Sequence, residues 1–362
     1  DATGYGELAE PRSMDRRNFL KSTGGIAAVA AGCASTAVQA GGAPDAAHVA
    51  AKERRTFTFA CPWEAHPAGF AGDAHRLARS IESALNGAVT FDIRTASTSP
   101  SDFAVSFVGA DTSLHPAFAY FGGLPGSEAL PPRDLDDWLS TGGGQELWDE
   151  LSGRFGFKAL LAGHTGPNTV LWSKSPVSRP EDLAGRRVVV RGLDADVIRA
   201  LGAIPVVADE RRLEQALPAA DTDAAAWGGL VQASAAGLPQ HFPFAVTGAL
   251  GAAGGAVALK ISLSAWQSLS AHEQMIFSTV ANSEFRLSLA DAGATRSAVE
   301  NALVSRYATR FSRPSADFAA AVSRICAAVV AHTAAHDATS SRIDRSYTAY
   351  RRASAAESPE LA

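Results

Sequence analysis

The chain has 362 residues, of which 46% are hydrophobic and 19% charged, and its formal net charge is -5. This supplies enough apolar side chains for a globular core. The acidic balance speaks against nucleic acid as a partner, because nucleic-acid binders concentrate Lys and Arg on one face.

Residues 1–13 read as a start-site extension ahead of a natural-looking start at Met14. Met14 to Lys21 is charged, Gly24 to Gly32 is mildly apolar, and small residues follow. That order is the order of an export signal. The pair Arg16-Arg17 before Phe19-Leu20 resembles the twin-arginine signal of bacteria, and residues 14–40 are assigned to it. Cleavage is expected after Ala40, which places the mature chain in the periplasm. Ala31-Gly32-Cys33 is a weak lipobox, so lipid anchoring at Cys33 is the second choice. Cleavage after Ala40 leaves Cys61 and Cys326, either bridged or buried as free thiols. No cysteine–histidine spacing suits zinc.

Alternating Phe57 and Phe59 predict a first strand, closed by Cys61-Pro62-Trp63. Leu77, Ile81 and Leu85 predict a helix over 73–85, ended by Asn86-Gly87. Strands are expected at Val89–Ile93 and Phe103–Val108. Two helices follow, the second carrying Leu147, Trp148, Leu151 and Phe155 as core residues. Strands at Gly156–Leu161 and Arg187–Arg191, a helix from Asp194 to Leu201 and a strand at Pro205–Val207 make an α/β alternation. Gly255–Ser262 reads as a strand that crosses a hinge. Helices are expected over 271–290, 294–309 and 314–336.

The ordered motifs now resemble a known family. They are Pro116-Ala117-Phe118-Ala119-Tyr120-Phe121, Gly142 to Leu151, Gly163-His164-Thr165-Gly166, Ser178 to Gly185, Gly192-Leu193 and Asp223-Ala224-Ala225-Ala226-Trp227. Together they resemble the substrate-binding proteins of tripartite ATP-independent periplasmic (TRAP) transporters, closest to the branch that binds 2-oxo acids. The resemblance implies an α/β periplasmic-binding-protein fold, with two lobes, hinge strands and long C-terminal helices. The expected division is 53–175 mainly lobe 1, 176–262 mainly lobe 2, 263–340 helices packing across both, and 341–362 a polar tail. It also implies a small organic acid as ligand, TRAP permease subunits as partners, and a homodimer through the C-terminal helix as an arrangement the tail permits.

The family's carboxylate-gripping arginine aligns with Val189. Arg191 stands two residues on, on the same strand face but about 7 Å along. It either substitutes for that arginine or is an ordinary surface residue. The glutamate that helps hold a cation in the 2-oxo acid branch is Ala226 here, so no cation or other cofactor is expected. Asn168 stands where the branch has glutamine. Trp63 and Trp227 line the cleft or pack in the core. His164 donates to a ligand carboxylate or is a structural histidine. The shortened linker between Ile93 and Pro116 leaves out a helix that the family has. No nucleophile elbow, zinc-protease motif or phosphate loop points to an enzyme. The function implied is capture of a 2-oxo acid or related monocarboxylate for uptake. The alternative is a divergent binder of a less charged ligand, or a sensing or structural role.

Overall fold

Phe57, Phe59 and Cys61 share one face of β1 (Arg55–Cys61), and Phe59 and Cys61 are fully buried on it. The computed structural model describes residues 54–63, 69–95, 101–166, 170–207, 221–250 and 254–357. The export signal with Arg16 and Arg17, the lipobox at Cys33, and Asn168 lie outside these residues. β1 pairs in parallel with β2 (Val89–Thr95) and β3 (Phe103–Phe107). Helix α1 (Phe70–Ala84) turns Ala74, Leu77 and Ile81 onto this sheet. It stops at Asn86-Gly87, where φ is positive at both residues. Between β2 and β3 the described residues contain no helix, in keeping with the shortened linker.

The first sheet has the order β2-β1-β3-β10-β4, with β4 at Phe157–His164 and β10 at Ala256–Ser262. The second has the order β11-β9-β5-β8-β6-β7. Its strands are β5 (Val170–Ser173), β6 (Arg187–Val190), β7 (Ile204–Val207), β8 (Ala224–Ala226), β9 (Phe244–Thr247) and β11 (Arg310–Ser312). Each sheet is the centre of one lobe. The fold is thus α/β with two lobes and long C-terminal helices.

The sheets divide the chain differently from the sequence-based division. β5 belongs to lobe 2, although it precedes residue 176, and β10 lies in lobe 1, although it precedes residue 263. β10 does not cross between the lobes; it sits between β3 and β4, antiparallel to both. Two passages between the sheets are the segments after β4 and before β10. A strand's own pattern reports burial but not which sheet buries it, so strands next to the crossings are the ones that pattern leaves open.

The expected helices 271–290 and 294–309 are one helix, Ala271–Tyr307, of 37 residues. Gly293 sits inside it, where a side chain would meet nothing. An internal glycine costs roughly 1 kcal/mol, too little to break a helix packed along its length. Ser270 and Glu273 form a capping box at its start. At 1.5 Å per residue the helix is about 55 Å long. It packs on α1 and β4 of lobe 1 and on the helix Leu230–Ala235 of lobe 2.

The last two helices are Ala316–Ala334 and Ala338–Glu357. The polar tail expected from 341 onward is therefore helical through Glu357. Ile343 and Tyr347, four residues apart, bury on lobe 1 against Trp138 and Tyr120. The Leu130 N–H donates to the Tyr347 hydroxyl, and Arg351 pairs with Glu128 at 2.8 Å. Sparse apolar residues at helical spacing suffice when a neighbouring lobe covers them. Phe155, expected in the core, is 40% exposed. It falls just past the helix Gly144–Gly153, where the helical face no longer continues.

Candidate functional site

Parallel strands present their carboxyl ends, and the loops beyond them, to the crevice of an α/β fold. β3 ends at Phe107, β6 at Val190 and β8 at Ala226, and all three lead into one cavity between the lobes. Lobe 1 contributes Phe107, Gly109 and the turn Gly122–Gly126. Lobe 2 contributes Arg191, Asp194 and Ala226-Trp227-Gly228.

The lobes touch at the rim. The Gly126 N–H donates to the Leu250 carbonyl at 3.0 Å. Gly192 has φ +56°, and a Cβ there would stand 2.7 Å from the Gly109 carbonyl oxygen. Only glycine permits that approach. The cavity is about 60 Å³ and partly open to solvent. That is room for a small ligand or a few waters.

Arg191 lies just past the end of β6 and turns its guanidinium into this cavity. Its Cζ is 3.5 Å from the ring centroid of Phe107 and 4.1 Å from that of Trp227. Both rings are within cation–π range. Val189, the position aligned to the family's arginine, is fully buried in the sheet and does not line this cavity. A residue beyond the strand end reaches the crevice, whereas one inside the strand is held by its neighbours.

Trp227 lines the cavity and is 3% exposed. Trp63 does not line it. Its ring packs 4.9 Å from Phe70 and 5.5 Å from Phe107, so it backs the ring that carries Arg191. His164 is also behind the wall. Its Nδ1 accepts the Gly166 N–H at 3.1 Å, its ring meets Phe285 edge-on, and burial lowers its pKa to about 3. A neutral ring with its acceptor occupied braces the crossing after β4. Thr165, next to it, lines the cavity and accepts the Gly255 N–H at 2.9 Å.

Sequence reasoning passed over Asp194, which read as a helix start. It lines the cavity three residues after Arg191, keeps part of its surface open to it, and is densely surrounded by protein. Desolvation raises its carboxyl to about 7, against the lowering pull of Arg191. The available signal was an acidic residue immediately after the glycine turn that carries Arg191.

The residues do not fit a hard cation. Ala226 offers a methyl group where a carboxylate would be needed, and the Arg191 guanidinium shares the space. Among the described residues no group of three or more His, Cys, Asp or Glu could hold a metal ion.

No family model matches the chain. A curated monocarboxylate 2-oxoacid-binding periplasmic protein of Nostoc sp. is 27% identical over 164 residues, which are 45% of this chain and 44% of that protein. The match therefore spans less than half the length of that relative. A TRAP periplasmic solute binding protein of Pseudoalteromonas atlantica, solved with bound sodium and pyruvate, superposes with a TM-score of 0.78 at 20% identity. It covers 85% of this chain and 97% of its own. A TRAP transporter solute binding protein of Bordetella bronchiseptica, with calcium and picolinate in its active site, gives 0.79 at 16% identity, covering 85% and 95%. A third, from Colwellia psychrerythraea with calcium and pyruvate, gives 0.77 at 19%, covering 84% and 97%. The chain has the fold of these solute-binding proteins.

Proposed function

We propose that the chain is the extracytoplasmic solute-binding component of a TRAP-type transporter, and that it captures a small monocarboxylate for uptake. The observation that carries this reading is the Arg191 guanidinium, held between Phe107 and Trp227 in a cavity about 60 Å³ in size. A guanidinium presents a rigid fork of donors that matches the two oxygens of a carboxylate. A small cavity with a guanidinium in its wall suits a small carboxylate. The ligands of the pyruvate-bound relatives support the class.

The reading includes export through Arg16 and Arg17, a periplasmic location, TRAP permease subunits as partners and no catalytic step. Among the described residues, the cavity's polar side chains are Arg191, Asp194, Thr165 and the indole of Trp227. That set holds an anion and contains no nucleophile paired with a base. A homodimer through the C-terminal helix needs no exchange of that helix, because Ile343 and Tyr347 are already buried on their own lobe. Thermal shift and Trp fluorescence, titrated with acetate, lactate, pyruvate and dicarboxylates, test the reading. Stabilisation by a monocarboxylate is expected. A response to none of the acids sinks it.

A less charged ligand is the second reading. Ala226 and the apolar Leu250 on the wall favour it. Unchanged affinity after Arg191→Ala would select it.

A further inference from the structure

A cavity that holds an anion should avoid a carboxylate, yet Asp194 faces the same space as Arg191. Two like charges in one small, poorly solvated cavity repel strongly, and the pair is stable only if one of them is neutral. The ligand's carboxylate has the lower intrinsic pKa and the guanidinium beside it, so the protein's carboxyl is the one that takes the proton.

We propose that Asp194 is a ligand-contacting residue that works as the neutral acid: its O–H donates to the bound carboxylate, Arg191 supplies the charge, and capture of the anion takes up one proton from solvent onto Asp194. The proposal rests on the monocarboxylate reading of this cavity. It adds a second contact and makes affinity depend on pH.

The surroundings of Asp194, among the described residues, leave it poised for this. From its own loop only Arg191 faces it with a charge. From the helix Ala316–Ala334 it is faced by Cys326, whose thiol is pushed up to about 12 by burial and is therefore neutral. Beyond that thiol, Glu128 is paired with Arg351. From lobe 1, the segment after β3 carries Asp111, which is paired with Lys260. His164, behind the crossing, is neutral. Desolvation already holds the empty Asp194 carboxyl at about 7, and a bound anion adds to the same effect.

The test is calorimetric titration of the full chain with pyruvate, lactate and acetate at about pH 6 and about pH 8.5. Ionisation of a group near 7 leaves roughly 3% in the neutral form at the higher pH, so affinity should fall about 30-fold across the range. Asp194→Asn, which cannot ionise and keeps a donor, should bind equally at both pH values. In the unaltered protein the heat measured at the higher pH in two buffers of different ionisation enthalpy should report uptake of about one proton. Binding that is pH-independent, or a proton count of zero, overturns the proposal and leaves the monocarboxylate reading standing. A pH dependence that survives in Asp194→Asn also overturns it. Failure of every acid to bind at about pH 6 overturns both.

Discussion

The guanidinium of Arg191, from lobe 2, lies on the ring of Phe107, from lobe 1, with 3.5 Å between its Cζ and the ring centroid. The contact forms only when the lobes are together. Under the proposed function it would couple ligand capture to closure, because the side chain proposed to meet the ligand also bridges the two halves.

Arg191→Ala should therefore weaken carboxylate binding by about 2–3 kcal/mol, roughly 30- to 150-fold, the usual range for removing one partner of a charged, buried contact. Arg191→Lys should recover only part of this. Lysine keeps the charge but loses the fork and the planar guanidinium that lies close to the Phe107 and Trp227 rings. Calorimetric titration with the acid that shifts the melting temperature most is the measurement. Equal affinities for all three proteins would contradict the assignment.

Gly192→Ala should hold the lobes apart. The added methyl would stand 2.7 Å from the Gly109 carbonyl oxygen, a distance that backbone cannot tolerate. The positive φ adds about 1 kcal/mol of strain. Small-angle scattering should show a larger radius of gyration for the variant in the presence of ligand, together with weaker binding. A scattering profile identical to that of the unaltered protein would show that this contact does not limit closure.

His164 should make the fold acid-sensitive. Its folded pKa lies near 3, below the unfolded value of 6.5, so the stability it confers is present above about pH 6.5 and declines as pH falls toward 3. Asp194 acts in the opposite sense. Its raised value means that folding gains stability as pH falls from about 7 toward 4. The two slopes oppose each other between about pH 4 and 6.5. His164→Asn retains an acceptor for the Gly166 N–H and removes only the first slope, of at most about 1.4 kcal/mol per pH unit. Urea unfolding at several pH values should show the variant gaining relative stability below about pH 6.5.

Cys61 and Cys326 are both buried free thiols, each packed in the core of a different lobe. Ellman's reagent should react with neither in the native protein and with both after denaturation, under oxidising purification. An intact mass two daltons low would mean a bridge and would contradict the packing.

Removal of the last helix, from Ala338 onward, should unfold lobe 1 or lower its melting temperature sharply. It would uncover Trp138, Tyr120 and Leu130, which Ile343 and Tyr347 now cover. Two large buried side chains are worth about 3–5 kcal/mol each when deleted. Circular dichroism on heating reads the difference.

Local pattern determined much of this protein. The alternation at Phe57 and Phe59, the helix ended by Asn86-Gly87 and the α/β alternation around Arg187–Val207 follow from side-chain periodicity and backbone stereochemistry, and each element formed. Those signals are short-range, so they survive without knowledge of the partner surface. The family resemblance, not periodicity, singled out Arg191 and Trp227 as candidates. Only the tertiary structure decided what those residues meet. Phe107, Arg191, Asp194 and Trp227 share one cavity because three strands of two sheets end at the same crevice. Nothing in a strand's own pattern states which sheet it joins; pairing alone puts β5 in the second sheet and β10 in the first. The same holds for Ile343 and Tyr347, whose burial depends on a lobe built from residues 120–150. Periodicity tells a side chain to be buried, whereas the partner, and with it the charge and size of the site, is set by contacts far apart in the chain.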